Sequence, residues 1–320
     1  MSQSEHPELL IPHYVADSAR AALREALADL LADPNLSVAA TPEETDEKLA
    51  TAEVLLSARF PAEKLDSAPD LRWIQSLSAG VDHFDRDALA EDDVALTSAS
   101  GVHAEPIGEQ VLAYLLAFER NLQKGFRQQE RRVWENYGGK ELRDETVGIL
   151  GLGAIGGRVA ELASAFGCEV VGTKRNPESA PDAADEAFGP DGLYEVCSRS
   201  DYVVLAVPLT DETRGLIGKE EIRTMPSSAV LVNVARGEVV EEDALTTALQ
   251  QGHLRGAALD VFEEEPLPQD SPLWDLSNVL VTPHMAGSTP HYYERCASLF
   301  ARNYENFVAD DLGAMENRVA

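Results

Sequence analysis

The sequence predicts a parallel α/β fold, and three observations carry that prediction. Short apolar runs of strand length alternate with helical patterns from end to end, the order expected of parallel sheets built through crossover helices. A chain of 320 residues is long enough for two domains of ordinary size. The clearest strand, Thr146-Val147-Gly148-Ile149-Leu150, runs straight into a glycine-rich turn and then an amphipathic helix bearing Val159, Leu162, Ala163 and Phe166.

Taken in order, Leu9-Leu10-Ile11 reads as the first strand. Leu23, Leu27 and Leu30 then recur at helical spacing until Pro34. Val54 to Leu56, Leu71 to Leu77 and Val94 to Thr97 are further strands, so the first hundred or so residues form one open α/β unit. From His103 to Phe126 the pattern is helical, with Ile107, Val111, Leu115, Phe118 and Leu122 on one face. An Arg-rich stretch follows (Arg127, Arg131, Arg132, with Trp134 and Tyr137) and ends at Gly138-Gly139. After the Thr146 strand, more βα units are expected at Val170-Val171, Tyr202 to Val207, Ala229 to Val234, Gly256 to Leu259 and Val279 to Thr282. A last helix runs from about His291 to Phe307. No internal repeat is visible.

Composition limits what such a fold can serve. Asp and Glu number 56 against 26 Lys and Arg, a net charge of −30, while hydrophobic residues make up 44%. The apolar content excludes a disordered acidic chain. The charge would repel nucleic acid and anionic membrane, so neither partner is expected. Only six of the cations are Lys, and the acids are spread along the chain rather than gathered in a tail. Such a surface repels itself in dilute salt, and at roughly 1 M salt a Debye length of about 3 Å screens that repulsion. The expectation is a salt-adapted cytosolic protein of a halophile. Cys168, Cys197 and Cys296 form no CxxC or Cys/His cluster, so neither a disulfide framework nor a metal site is expected. The N-terminal stretch lacks the charged start and apolar core of a signal peptide, and no apolar run approaches the ~20 residues of a membrane span.

The turn Gly151-Leu152-Gly153-Ala154-Ile155-Gly156 has the spacing of a dinucleotide-binding fingerprint, and the flanking strand and helix are those the fingerprint requires. Gly151 permits the tight turn, Gly153 lets backbone approach a pyrophosphate, and Gly156 allows the helix to pack closely on the strand. The helix start at Ala154 and Ile155 presents free N–H groups to phosphate. An NAD site usually places an acid about 20 residues further on, at the end of the next strand, to bond the ribose 2′-hydroxyl. Here that strand ends Gly172-Thr173-Lys174-Arg175-Asn176, without an acid. Lys174, Arg175 and the Thr173 hydroxyl could instead bind a 2′-phosphate. NADP(H) is therefore expected to be preferred, with NAD(H) also accepted.

Seven segments, the glycine turn among them, carry a resemblance: SAGVDHFD (Ser78 to Asp85), ASGVHAEPIGE (Ala99 to Glu109), GILGLGAIG (Gly148 to Gly156), VPLTDETRGLI (Val207 to Ile217), NVARGEVV (Asn233 to Val240), GAALDVFEEEP (Gly256 to Pro266) and TPHMAGST (Thr282 to Thr289). In this order they resemble the D-isomer-specific 2-hydroxyacid dehydrogenases, a family that includes glyoxylate/hydroxypyruvate reductases and phosphoglycerate dehydrogenases. The resemblance implies two Rossmann-like lobes with a cleft between them, one flavodoxin-like and one dinucleotide-binding. The chain would cross twice, so that residues 1–103 join 287–320 in the substrate-binding lobe and 104–286 form the NAD(P)-binding lobe. It further implies reduction of 2-keto acids to D-2-hydroxy acids without a metal, and a homodimer held by an arm near residues 119–142.

By the same resemblance the active site comprises Arg236, Glu265 and His284. Each follows a predicted strand, and open α/β sheets bind ligands beyond their strands' carboxyl ends. A 2-keto acid needs its carboxylate held, its carbonyl polarised and a proton delivered as hydride arrives. Arg236 offers a permanent, fork-shaped cation. His284 is the natural general acid, and a carboxylate beside it would favour the imidazolium. Glu263 and Glu264, in a run of three acids, are expected to be solvated surface groups. The resemblance also implies that backbone N–H groups around Ser78, Gly80 and Val81 hold the substrate carboxylate. It places Val207, Pro208, Thr213, Val234 and Ala286 along the cofactor, and Ala235 and Asp260 near its nicotinamide half.

A competing class is an NAD(P)H-sensing co-repressor of the same fold, against which the acidic charge weighs. Formate oxidation is disfavoured by the Glu265 partner. A phosphoglycerate dehydrogenase with a regulatory tail is disfavoured by the ~10 residues after the last helix, a short end for a further domain.

Overall fold

A computed structural model describes residues 6–81 and 83–319; residues 1–5, Asp82 and Ala320 lie outside the described set. The chain forms two compact units and changes from one to the other between His103 and Ala104, and back between Ser288 and Thr289.

The first unit holds a five-stranded, wholly parallel sheet of β1 (Leu9–Ile11), β2 (Leu36–Val38), β3 (Val54–Ser57), β4 (Trp73–Ser76) and β5 (Ala95–Thr97), in the order β2-β1-β3-β4-β5. That is the flavodoxin-like order. β1, β3, β4 and β5 are buried on both faces, which is why they read as unbroken apolar runs. The helix Asp17–Leu30 turns Ala19, Leu23 and Leu27 inward and packs beside the helix Tyr292–Val308. Phe300 of that second helix stacks on Trp73 at 4.8 Å between ring centroids, and the Trp73 indole donates to Thr97 Oγ1 at 2.8 Å. The last helix is thus part of the first unit's core.

The second unit has a seven-stranded parallel sheet. Its strands are β6 (Thr146–Leu150), β7 (Glu169–Thr173), β8 (Glu186–Phe188), β9 (Tyr202–Leu205), β10 (Val230–Asn233), β11 (Gly256–Leu259) and β12 (Val279–Val281), in the order β12-β11-β10-β9-β6-β7-β8. Numbered from β6, six of them follow the doubly wound 3-2-1-4-5-6 order, with β12 added beyond. The strand order reverses between β6 and β9, which is where such sheets bind ligands. Register aligns the carboxyl ends. Leu150 pairs with Thr173 and Leu205, Leu205 with Asn233, Asn233 with Leu259, and Leu259 with Val281. The loops after β6, β7, β9, β10, β11 and β12 therefore leave the sheet along one edge.

The structure differs from the sequence expectation in three places. The helix expected over 103–126 breaks into Ala104–Glu119 and Leu122–Glu130, because Asn121 takes the left-handed φ of +51°. Leu122, expected on the buried face, is exposed as a result. β2 and β8 were not expected. Both are three-residue edge strands without a fully buried position, so neither leaves an apolar run to detect. The three cysteines are buried free thiols; burial pushes Cys168 and Cys296 up to about 11 and Cys197 up to about 12. Among the described residues, no helix is long and apolar enough to cross a membrane. Among the same described residues, no cluster of three or more His, Cys, Asp or Glu side chains is placed to hold a metal.

Candidate active site

The glycine turn after β6 is shaped by what its residues lack. Gly151 has φ +102°, a conformation that favours glycine, and a Cβ there would lie 2.7 Å from the Ala206 carbonyl oxygen. A Cβ on Gly156 would lie 2.1 Å from the Gly151 oxygen, so glycine is what lets the helix Ala154–Ala165 settle onto the turn. Gly153 is different, with no atom within 4 Å of its Cβ position. No side chain caps this helix, which leaves the N–H groups of its first turn, at Ala154, Ile155 and Gly156, for an anion. Open space beside uncapped N–H groups fits a dinucleotide's pyrophosphate.

Thr173, at the end of β7, is buried. Its Oγ1 accepts from the Gly151 N–H at 3.3 Å, and its carbonyl accepts from Leu152 N–H at 2.8 Å. The hydroxyl expected to meet a 2′-phosphate is thereby engaged within the glycine turn. Lys174 Nζ donates to the Ser179 carbonyl at 2.7 Å, and Arg175 is exposed next to it. After β9, the Thr213 hydroxyl donates to the Pro208 carbonyl at 2.6 Å and folds the Val207–Thr213 loop back on itself. Val207 stands against Gly151; its Cγ1 would be 2.9 Å from a Cβ there.

The loops after β10, β11 and β12 carry the proposed reactive groups. Asn233 ends β10 and closes a turn, donating from Nδ2 to the Arg236 carbonyl at 2.9 Å and accepting from the Ala235 N–H at 3.0 Å. Val234 and Ala235 are buried by this turn, while Arg236 is left exposed. Asp260, just after β11, is almost fully buried, and both of its oxygens are engaged. Oδ1 accepts from Met285 N–H at 2.9 Å and from the Thr282 hydroxyl at 2.5 Å, and Oδ2 accepts from Ala286 N–H at 2.8 Å. Tyr114 Oη lies 2.5 Å from the same Thr282 hydroxyl, and burial holds that phenol above its usual range. These bonds wind the Thr282–Ala286 turn tightly enough that His284 takes φ +50°. Its ring Nδ1 then meets Glu265 Oε2 at 2.7 Å, while Glu265 Oε1 accepts from Phe262 N–H at 3.1 Å. The pair is accessible, with His284 51% and Glu265 36% exposed. A carboxylate at Nδ1 selects the tautomer that carries its proton there and leaves Nε2 for exchange.

Sequence reasoning missed two features here. Asp260, expected beside the cofactor, has its whole carboxylate occupied in holding the His284 turn. Glu263 is exposed, as expected of a surface acid, yet it also accepts from the Glu242 N–H at 3.0 Å, while Glu242 Oε2 accepts from the Glu263 N–H at 3.2 Å. Nothing in the spacing of these residues signals either arrangement, since the partners lie more than 20 residues apart. In the five-stranded unit, the segment Ser78 to Val81 follows β4. The Ser78 N–H, expected to face substrate, donates instead to Ser76 Oγ at 3.0 Å, because that side chain folds over the strand end. Val81 is buried and Gly80 partly so.

Residues 112–286 match the family described as D-isomer specific 2-hydroxyacid dehydrogenase, NAD binding domain. The chain is 37% identical over 313 residues to a glyoxylate/hydroxypyruvate reductase B of Pectobacterium carotovorum, a match covering 95% of this chain and 94% of that one. It is 35% identical over 280 residues to a D-3-phosphoglycerate dehydrogenase of Methanocaldococcus jannaschii; that match covers 85% of this chain and 53% of the relative, so the chain spans about half of that protein's length. A crystal structure of a D-isomer specific 2-hydroxyacid dehydrogenase from Xanthobacter autotrophicus Py2, in complex with NADPH and MES, is similar with a TM-score of 0.84 and 30% identity, covering 98% of both chains.

Proposed function

The chain belongs to the D-isomer-specific 2-hydroxyacid dehydrogenase family, and from that premise we propose that it reduces 2-keto acids to D-2-hydroxy acids with Arg236, Glu265 and His284 as its catalytic residues. The observation that carries this reading is the 2.7 Å contact between His284 Nδ1 and Glu265 Oε2, beyond the carboxyl ends of β11 and β12. A nicotinamide cofactor, when bound, supplies the hydride to the carbonyl carbon or receives it in the reverse direction. The free N–H groups of Ala154, Ile155 and Gly156 would hold its pyrophosphate.

The chain's own groups handle charge and protons. The Arg236 guanidinium binds the substrate carboxylate and polarises the adjacent carbonyl. As hydride adds to the carbon, the carbonyl oxygen becomes an alkoxide, and His284 passes its Nε2 proton to that oxygen. Glu265 keeps the ring oriented through Nδ1 and stabilises the imidazolium before transfer. In the oxidative direction His284 takes the hydroxyl proton. Lys174 and Arg175 favour NADP(H) over NAD(H), because a 2′-phosphate meets two cations and no carboxylate there.

Two further proposals concern the surface. The segment 119–142 exposes Phe126, Val133, Trp134 and Tyr137, with Trp134 at 95%, and this is the arm through which two copies would pair. The acidic surface is read as adaptation to high salt. Arg199 alone contacts Glu169, Glu186 and Glu195, the kind of clasp by which few cations can serve many acids.

The test is kcat/KM for glyoxylate, hydroxypyruvate, pyruvate and longer 2-keto acids, with NADPH and with NADH, at high salt. Turnover of at least one of them, faster with NADPH, is expected. A protein that binds NADPH tightly and turns over none would instead be a cofactor sensor.

A further inference from the structure

We propose that Glu242 and Glu263 are positioning residues that lock the loop carrying Arg236 to the loop carrying Glu265, an inference that rests on the catalytic reading of those two groups. The contact begins at Gly237, directly after Arg236. A Cβ there would fall 1.9 Å from both the carbonyl carbon and the oxygen of Phe262, and 2.4 Å from the Glu263 nitrogen. The two backbones therefore touch at the Phe262–Glu263 peptide, with no room for a side chain between them.

Beside that contact lies a reciprocal clasp. The Glu242 N–H donates to Glu263 Oε1 at 3.0 Å, and the Glu263 N–H donates to Glu242 Oε2 at 3.2 Å. Each carboxylate satisfies the other residue's backbone donor. From the same segment the Phe262 N–H donates to Glu265 Oε1, and Glu265 Oε2 holds His284. One short stretch is thus gripped by the Arg236 loop on one side and steadies the Glu265–His284 pair on the other.

The clasp is electrostatically unfavourable in itself. Burial, together with the charges of Glu263, Asp243 and Glu264, pushes the Glu242 carboxyl above its usual range, against the opposing hydrogen bond from the Glu263 backbone. Both acids face a cavity of about 620 Å³ also lined by Lys219, Arg223, Glu241, Asp243 and His253. Solvent and nearby cations moderate the repulsion there.

The experiment compares Glu242→Ala, Glu263→Ala, the double variant and Glu242→Gln by hydroxypyruvate kinetics at saturating NADPH and by amide hydrogen exchange across residues 236–243 and 260–266. Each alanine variant is expected to lose about ten-fold in kcat, since small misplacements of reacting groups are costly, with little change in KM. The double variant should be no worse than either single, as for two halves of one device. Glu242→Gln should restore kcat, because its amide oxygen accepts the same N–H. Exchange should quicken in both segments together in the alanine variants. Faster exchange with wild-type kcat would assign the pair a structural role only and overturn the proposal, as would unchanged exchange or additive losses. If the wild-type protein reduces no 2-keto acid, the functional reading fails separately, and coupled exchange in the two segments then decides the clasp by itself.

Discussion

The two halves of the seven-stranded sheet present backbone to ligands by opposite means. Around β6 and β7 the turn is shaped by missing side chains: Gly151 and Gly156 each sit where a Cβ would strike a carbonyl oxygen. Around β10, β11 and β12, apart from the close backbone contact at Gly237, the shaping is done by polar side chains. Asn233 closes the Arg236 turn, Asp260 winds the His284 turn, and Glu242 and Glu263 join two loops. Steric shaping does not respond to pH or salt, and it suits a site for an invariant pyrophosphate. Shaping by hydrogen bonds can be adjusted one acceptor at a time, which would suit the half proposed to match a particular acid and move a proton.

Substitutions that strike one half should spare the other. The largest effect is expected from His284→Gln, which keeps a polar side chain and removes the acid. Its kcat should fall by about 10³-fold, within the range for loss of a general acid, while NADPH affinity by fluorescence titration stays at the wild-type level. Gly156→Ala is the mirror experiment. The added methyl cannot fit beside the Gly151 oxygen, so NADPH affinity should drop by about 10²-fold and stability by about 2 kcal/mol, as for overpacking. Chemistry at saturating cofactor should be largely kept. A comparable loss of kcat in that variant would show that the halves are not separable.

Smaller changes sharpen the cofactor half alone. Replacing both Lys174 and Arg175 by Ala should lower kcat/KM for NADPH by about 30-fold, or about 2 kcal/mol for the lost charge-assisted bonds, and leave NADH unaffected. Equal losses with both cofactors would remove the basis for NADPH preference. The smallest effect is expected at Arg199, whose partners belong to β7, β8 and the helix Leu193–Arg199. Arg199→Gln should leave kinetics unchanged and lower thermal stability by no more than about 1 kcal/mol in dilute buffer. Above roughly 1 M salt, where the Debye length is about 3 Å, that deficit should shrink.

The contrast also explains what could be read in advance. A steric turn leaves its mark in consecutive residues, because Gly151, Gly153 and Gly156 must stand at fixed offsets after a strand and before a helix. Buried strands such as β6 and β9 show themselves in the same way, as continuous apolar runs. Hydrogen-bonded shaping leaves no such mark. Asp260 reaches Ala286 across 26 residues, and Glu242 reaches Glu263 across 21, through contacts that exist only once β10, β11 and β12 are in register. Glu263 in particular is exposed, as its run of acids suggests, but nothing in that run shows that it also accepts from a backbone N–H. The bond from the Ser78 N–H to Ser76 Oγ is equally hard to read in advance, since a serine side chain two residues away competes for that donor only in the folded chain. The helix break at Asn121 depends on one residue adopting φ +51°, which Asn tolerates but periodicity does not reveal.

The proposed site would direct a hydride from the cofactor and a proton from His284 to a 2-keto acid with one stereochemical outcome. Chiral chromatography of the product from hydroxypyruvate and NADPH tests it most directly. The prediction is D-glycerate alone, formed one-for-one with NADPH consumed and absent with His284→Gln. L-glycerate, a racemate, or D-glycerate formed undiminished by the His284→Gln variant would contradict it.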